Sequence, residues 1–385
     1  MPIYLDSNAT SQPAPQVVDA MREMLAELWG NPSSGHRFGQ AARQRLELAR
    51  EQIADLIGGK PRELVFTSGG TESANLAIQG TLPPPGDELP LVITNRVEHS
   101  AVREQVETLA ERGLLEVAWL ETDDGYVEPA RLAALLDERP KTHLVSIQWA
   151  SNETGLIQPI AELGAACAER DIPLHVDGTQ WVGKMPLDFR QPDAPHIDLL
   201  TFSAHKFHGP KGAGCLWVRR GWGVRSVTIG GSQEGKRRPG TENIAGIVGM
   251  GVAAAVAKEW LATDGIERGR AQRDRFEAAV IERCAPAQAN SAHRERLWNT
   301  SSIAFPGLEA EAILIALSER GVYTSAGAAC SSGSLEPSPV LRAMGLDDAA
   351  AHGSIRFTLA RETTDAELAE ALDIIADVIR RLRNH

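Results

Sequence analysis

The 385-residue chain has only four cysteines, Cys167, Cys215, Cys284 and Cys330. They are widely scattered, form no Cys-x-x-Cys pair and have no metal-ligand spacing, which argues against a disulfide framework or a zinc site. A reducing, cytoplasmic setting is expected. Positive charge is also scarce. Lys and Arg number 39 against 51 Asp and Glu, a net charge of -12. Neutralising a phosphate backbone needs the opposite balance, so a nucleic-acid partner is not expected. No apolar run approaches the length of a membrane span, so no membrane partner is expected either. The N-terminal "MPIYLDSNAT" has neither a basic region ahead of an apolar stretch nor an Arg-rich amphipathic one, and a signal or transit peptide is not expected. Internal repeats, low-complexity tracts, a Gly-x-Gly-x-x-Gly fingerprint and a Walker A loop are all missing.

What remains is an ordinary globular composition, 43% hydrophobic and 23% charged, in a chain long enough for two domains. Short apolar runs read as buried strands at 63–69, 91–95, 115–120, 143–149, 173–178, 197–203 and 214–220. Amphipathic stretches such as "SAVREQVETLAERG" and "EPARLAALLDERP" lie between them. Strands alternating with helices predict a largely parallel sheet covered on both faces. A helical run over about 243–262 leads into a region with two weaker strand candidates, "NTSSIAFP" and "SIRFTLA", which predicts a smaller α+β domain.

Sheets of this kind bind ligands beyond the carboxyl ends of their strands, so the polar residues just after each strand matter most. After "ELVFT" comes Ser68-Gly69-Gly70-Thr71, running straight into a helix, a turn whose free N–H groups suit a phosphate. After "PLHV" comes Asp177, an acid at the end of an apolar strand, costly there unless paired or well hydrogen-bonded. After "DLLTFS" comes Lys206, flanked by Ser203, His205 and His208. Taken singly, Asp177 reads as a structural cap, His99 as a helix-start histidine and Lys206 as a solvated charge. Taken together, they suggest pyridoxal 5′-phosphate. That cofactor needs a lysine for its aldehyde, a carboxylate for its ring nitrogen and an anchor for its phosphate. Lys206 fits the first role and Asp177 the second. Ser203 and His205 can add phosphate hydrogen bonds, and His99 can stack on the ring and move protons.

A second signal is "TSAGAACSSGSLEPSPVLRAMG" (324–345), which places Cys330 among small and polar residues that cannot build a core. A cysteine on a loop of this kind, following one helix and preceding another near Pro337, is a candidate nucleophile. Cys167 and Cys215 sit in apolar contexts and read as core. Arg356 lies inside the strand candidate "SIRFTLA", where a bidentate pair with a structural or a substrate carboxylate is expected.

The motifs "YLDSNAT", "NPSSGHRFG", "VFTSGGTESANLAI", "EHSAV", "NETGLIQPI", "HVDGTQWVGK", "FSAHKFHGPKG", "RRPGTENIAGIVGMG", "SAGAACSSGSLEPSPVLRAMG" and "SIRFTLARETT" closely resemble those of the cysteine desulfurases of NifS/IscS type. These belong to the class V aminotransferase group of fold-type I pyridoxal-phosphate enzymes. The resemblance implies an α/β fold with a mostly parallel seven-stranded sheet in a large cofactor-binding domain, 15–258. A smaller α+β domain would comprise 1–14 and 259–385 and carry the catalytic cysteine loop. It further implies that Lys206 carries the cofactor, with Asp177 at the pyridine nitrogen and His99 stacked on the ring. Asn152 and Gln180 would lie on the O3′ side, and Gly70, Thr71, Ser203 and His205 at the phosphate. Thr241 would reach the phosphate of a neighbouring subunit, which implies a homodimer. Asn152 and Arg356 would hold the carboxylate of L-cysteine. Cys330 would take its sulfur as a persulfide and pass it to an acceptor protein such as an iron–sulfur scaffold. A selenocysteine lyase or cysteine-sulfinate desulfinase would use the same cofactor chemistry.

Overall fold

The structure is a computed structural model that describes residues 2–84, 86–327 and 337–384. Among these residues the strands are β1 (Ile3–Tyr4), β2 (Leu64–Thr67), β3 (Leu91–Thr94), β4 (Glu116–Trp119), β5 (Thr142–Gln148) and β6 (Leu174–Asp177), followed by β7 (Leu199–Ser203), β8 (Gly214–Val218), β9 (Gln288–Ala289), β10 (Thr300–Ala304), β11 (Val322–Tyr323) and β12 (Ser354–Thr358). The main sheet has seven strands in the order β2-β8-β7-β6-β5-β3-β4, and only β8 runs antiparallel to its neighbours. Successive strand residues face opposite sides. In β2, Leu64 and Phe66 join one apolar core while Val65 joins another across the sheet. The first core holds α1 (Pro15–Ala26) and α2 (Arg37–Ile57), and the second packs under α3 (Gly70–Thr81) and α4 (Ser100–Glu111). Burial on both faces is why these strands read as unbroken apolar runs rather than alternating ones. β4 departs from the expected buried strand. It lies at the sheet edge with a single neighbour, leaving Glu116 exposed and Val117 to Trp119 half-buried.

The helix Ile244–Leu261 packs against α1 and α2. By length and composition it is apolar enough to cross a membrane, contrary to the expectation that no such run exists, because alanine and glycine fill it where larger residues were looked for. Half of it is buried inside the protein. Beyond it, β12, β10 and β9 pair antiparallel, and β1 pairs with β11 in parallel. A further apolar core unites Ile3 and Leu5 with Phe276, Ile303, Phe357 and Ile375. A two-residue strand, β11, intervenes between the helix Ala310–Glu319 and the segment leading to Cys330, where a helix alone was expected.

Register places the site residues side by side. Gln148, Asp177 and Thr201 align across β5, β6 and β7, and Gly214 of β8 sits between Ser203 of β7 and Thr67 of β2. At Gly214 a Cβ would lie 2.5 Å from the Gly69 backbone, so only glycine lets β8 pass the turn that opens α3.

The smaller core carries one nearly dry ion pair. Arg296 donates twice to Glu277, at 2.7 and 2.8 Å, and Ser301 Oγ donates to the same carboxylate at 2.6 Å. Glu277→Ala should destabilise the protein by about 3–5 kcal/mol, because it strands a buried guanidinium. The double variant Glu277→Met with Arg296→Met should recover much of that loss. Denaturant titration of the three chains checks both expectations.

Candidate active site

The carboxyl ends of β2, β3, β5, β6 and β7 deliver the polar residues, as α/β architecture requires. Asp177, the last residue of β6, is buried, and its Oδ1 accepts from Thr179 N at 2.9 Å. Lys206 closes a short 3₁₀ turn (Ala204–Lys206) directly after β7. Its Nζ donates to the backbone carbonyls of Asn8 at 2.6 Å and Ala9 at 2.9 Å. His99 caps α4, its Nδ1 accepting from Ala101 N at 3.1 Å. The neutral ring therefore carries its proton on Nε2. Burial lowers the His99 pKa and Lys206 lowers it further, against the opposing pull of Asp177. These electrostatic couplings bring His99, Asp177 and Lys206 into one neighbourhood.

α3 begins at Gly70 with no side-chain cap, which leaves its first N–H groups available for an anion. A Cβ on Gly70 would stand 3.1 Å from Thr179 Oγ1 and 3.9 Å from Ser203 Cβ, so Thr179 and Ser203 wall the same cradle. Thr71 is exposed at its mouth. His205, half-buried, faces Thr10 Oγ1 through Nδ1 at 3.2 Å. Its pKa is lowered to about 3 by burial and then by Lys206, Lys211 and Lys184.

The N-terminal segment supplies the hub, which the sequence reading missed. Asn8 O accepts from Lys206 and, at 3.1 Å, from Gln180 Nε2, and Asn8 Oδ1 accepts from Lys184 Nζ at 2.8 Å. Asn8 Nδ2 donates to the Asn152 carbonyl at 3.1 Å. Arg356, 1% exposed, donates through NH1 to that carbonyl at 3.0 Å and through NH2 to Asp6 Oδ1 at 2.6 Å. The expected bidentate pair is thus a single-nitrogen contact, because Asn152 takes the other nitrogen. Arg356 Nε is buried without a partner among the described residues. Asn152 enters this network through its backbone carbonyl. Thr241 is exposed ahead of the helix Ile244–Leu261, and it makes no hydrogen bond to these residues. Cys330 lies outside the described residues, and Cys167, Cys215 and Cys284 are buried.

Two further groups underlie the site. Glu98 is fully buried; its Oε1 accepts from Asn95 Nδ2 and Gln148 N, both at 2.8 Å, while Oε2 has no partner among the described residues. Burial, reinforced by Asp177, raises its pKa to about 8. His175 bridges Ser146 Oγ at 2.8 Å and Thr201 Oγ1 at 2.9 Å, and burial lowers its pKa to about 4. Neither residue had a sequence signal beyond lying in a strand or at a strand end. Lys184 had one: a lysine in the apolar run "WVGKMPL" invites the question that Lys206 raised.

These residues fit pyridoxal phosphate. An uncapped helix start with a hydroxyl-lined glycine cradle suits its phosphate, a buried carboxylate its ring nitrogen and a lysine at a strand end its aldehyde. The unpaired Arg356 Nε suits a substrate carboxylate.

The aminotransferase class-V family model matches residues 3–370. A cysteine desulfurase IscS of Dictyoglomus turgidum is 44% identical over 382 residues, covering 99% of this chain and 95% of that one. Among solved structures, a NifS-like protein superposes with TM-score 0.90 at 33% identity, covering 99% of this chain and all of the other. A structure of SspA in complex with cysteine matches with TM-score 0.81 at 32% identity, covering 94% and 99%.

The lowered pKa of His205 has a definite sign for stability. The folded ring stays neutral, whereas the unfolded one takes a proton below about 6.5. The unfolded state then binds more protons, so the stabilisation from a neutral His205 is present above that pH and is lost as pH falls from there toward about 3. The stability advantage of wild type over His205→Asn should therefore shrink between about pH 7 and about pH 5. Urea titrations of both chains at the two pH values check this, and a pH-independent gap would show that the ring is not held neutral.

Proposed function

This chain belongs to the aminotransferase class-V family and to the cysteine desulfurases within it, and from that premise we propose that it converts L-cysteine to L-alanine and hands the sulfur on as a persulfide of Cys330. The observation that carries the reading is the convergence of Lys206, Asp177, His99 and the α3 cradle over the carboxyl ends of one sheet. A partly unsatisfied Arg356 faces the same Asn8 hub.

Pyridoxal phosphate, when bound, supplies the electron sink that makes the substrate Cα proton acidic. Lys206 would hold its aldehyde and, with its Nζ free, would take the substrate Cα proton there. Asp177 keeps the ring nitrogen protonated, and its buried setting strengthens that interaction. Gly70, Thr71, Ser203 and His205 hold the phosphate, with Thr241 reaching the phosphate of a second copy in a homodimer. Asn152 and Gln180 lie at the ring's oxygen side. Arg356, with Asn152, grips the substrate carboxylate through the guanidinium edge that Asp6 leaves open. His99, neutral with its proton on Nε2, donates from that nitrogen toward the substrate sulfur and can relay a proton by giving this one up. A bond then forms between Cys330 Sγ and the substrate sulfur as the substrate Cβ–S bond breaks. The electron pair stays on carbon, which is protonated, so no outside oxidant is required. The persulfide passes to an acceptor thiol such as that of an iron–sulfur scaffold in the cytoplasm.

Borohydride reduction of the loaded protein followed by peptide mapping should place the label on Lys206, and label on another lysine would overturn the assignment. Cys330→Ser should still load the cofactor and still change its spectrum with L-cysteine. It should lose alanine release by about 100-fold or more, since an alcohol is a far weaker nucleophile toward sulfur than a thiolate. Mass spectrometry of wild type given L-cysteine without acceptor should find the added sulfur on the Cys330 peptide. A persulfide elsewhere, or normal turnover by Cys330→Ser, would sink the mechanism.

A further inference from the structure

A second lysine stands behind the first. Lys184 is buried, and its Nζ donates to Gln180 Oε1 at 2.5 Å and to Asn8 Oδ1 at 2.8 Å. The charged groups that face it are all cations: Lys206, Arg356 and Arg361. Burial, and then these three, drive its pKa well below the ordinary lysine range. Two of its N–H groups have an acceptor here.

Lys184 donates to both amide oxygens, so each amide turns its oxygen toward it, and a reversed Gln180 would also set its oxygen against the Asn8 carbonyl. For Gln180 this sends Nε2 to the other side, where it donates to Asn8 O beside Lys206 Nζ. Gln180 Oε1 has no hydrogen-bond donor besides Lys184 among the described residues, whereas Asn8 Oδ1 also accepts from Asn299 Nδ2 at 3.1 Å. The orientation of Gln180 therefore depends on Lys184 far more than that of Asn8 does. An amide reversed at this position would present a carbonyl oxygen to the site, and a ring oxygen carrying negative charge needs the opposite.

We propose that Lys184 is a positioning residue, an amine that locks Gln180 with its N–H side toward the cofactor's ring oxygen and steadies the Asn8 carbonyl that receives Lys206. The inference rests on the proposed place of Gln180 at that oxygen. A donor at the ring oxygen stabilises the deprotonated form of the lysine-bound cofactor. Loss of the donor should raise the pH midpoint of the visible absorbance change.

The test is an absorbance–pH titration of the cofactor-loaded dimer for wild type, Lys184→Met, Gln180→Met and the double variant. Each single variant should move the midpoint upward by about one unit, the size of one charge-assisted hydrogen bond. The double variant should sit where Gln180→Met does. It also removes both polar partners together, so it remains measurable if Lys184→Met alone does not fold. An unmoved Gln180→Met overturns the place given to Gln180. A shifted Gln180→Met with an unmoved Lys184→Met overturns the role of Lys184. A double variant shifted by the sum of the two singles shows that Lys184 acts by its charge and not through the amide, and this too overturns the inference.

Discussion

Every polar atom of one buried asparagine is engaged, and the rest of the site is measured from it. Asn8 N donates to Thr358 Oγ1 and Nδ2 to Thr300 Oγ1 and the Asn152 carbonyl, while its two oxygens accept from Lys206, Gln180, Lys184 and Asn299. Thr300 and Thr358 belong to β10 and β12 of the smaller core, and Lys206 and Gln180 follow strands of the main sheet. Buried polar groups are costly when unpaired, so a fully satisfied network of this kind holds two bodies of the fold in one arrangement. Neighbouring Leu5 is anchored in the smaller core, which fixes where Asn8 can be.

The electrostatics follow from that arrangement. Lys184, Lys206, Arg356 and Arg361 crowd together, with Asp6 paired to Arg356 and Asp177 at the sheet end. Burial, and then the neighbouring positive charge, pushes the pKa values of both Lys184 and His205 down. The same excess of positive charge is complementary to a ligand bearing both a phosphate and a carboxylate, the combination that cofactor and amino-acid substrate bring together. Arg361 lies 4.9 Å over the Trp260 ring, and burial lowers its pKa to about 10, so it contributes to this field from outside the hydrogen-bonded cluster.

The legible part of the fold was the set of short apolar runs, because strands buried on both faces leave no alternation to confuse with a helix. Asp177 and Lys206 were legible for a related reason: a charge at the end of such a run has to be explained. The direction of β8 could have been inferred too, since the short 204–213 connection cannot hold the crossover that a parallel neighbour of β7 needs. Asn8 and Asp6 had no such signal. They follow a two-residue strand, and their importance comes from contacts with residues hundreds of positions away, such as Thr300 and Arg356. Glu98 was hidden in a different way: its carboxyl supports the backbone of β5 through Gln148 N, which no local pattern announces.

The turn "NETG" joins the two halves of the proposed chemistry. Its Asn152 carbonyl positions Arg356, which is assigned to the substrate carboxylate. Its Glu153 is fully buried with a pKa raised by burial, and Glu153 Oε2 accepts from Ser338 Oγ at 2.6 Å. Ser338 in turn caps the helix Pro339–Ala343, and Gly327 packs against that same carboxylate oxygen. Gly327 precedes Cys330 in the chain and Ser338 follows it. The arginine proposed to bind substrate and the described residues on either side of the cysteine proposed to accept sulfur are therefore referenced to consecutive residues of one turn. Sulfur transfer needs the thiolate and the substrate Cβ–S bond to meet in a narrow geometry, and an error in either position is an error in reach. Tying Arg356 and Ser338 to one turn gives the proposed substrate site and the helix that follows Cys330 a common reference.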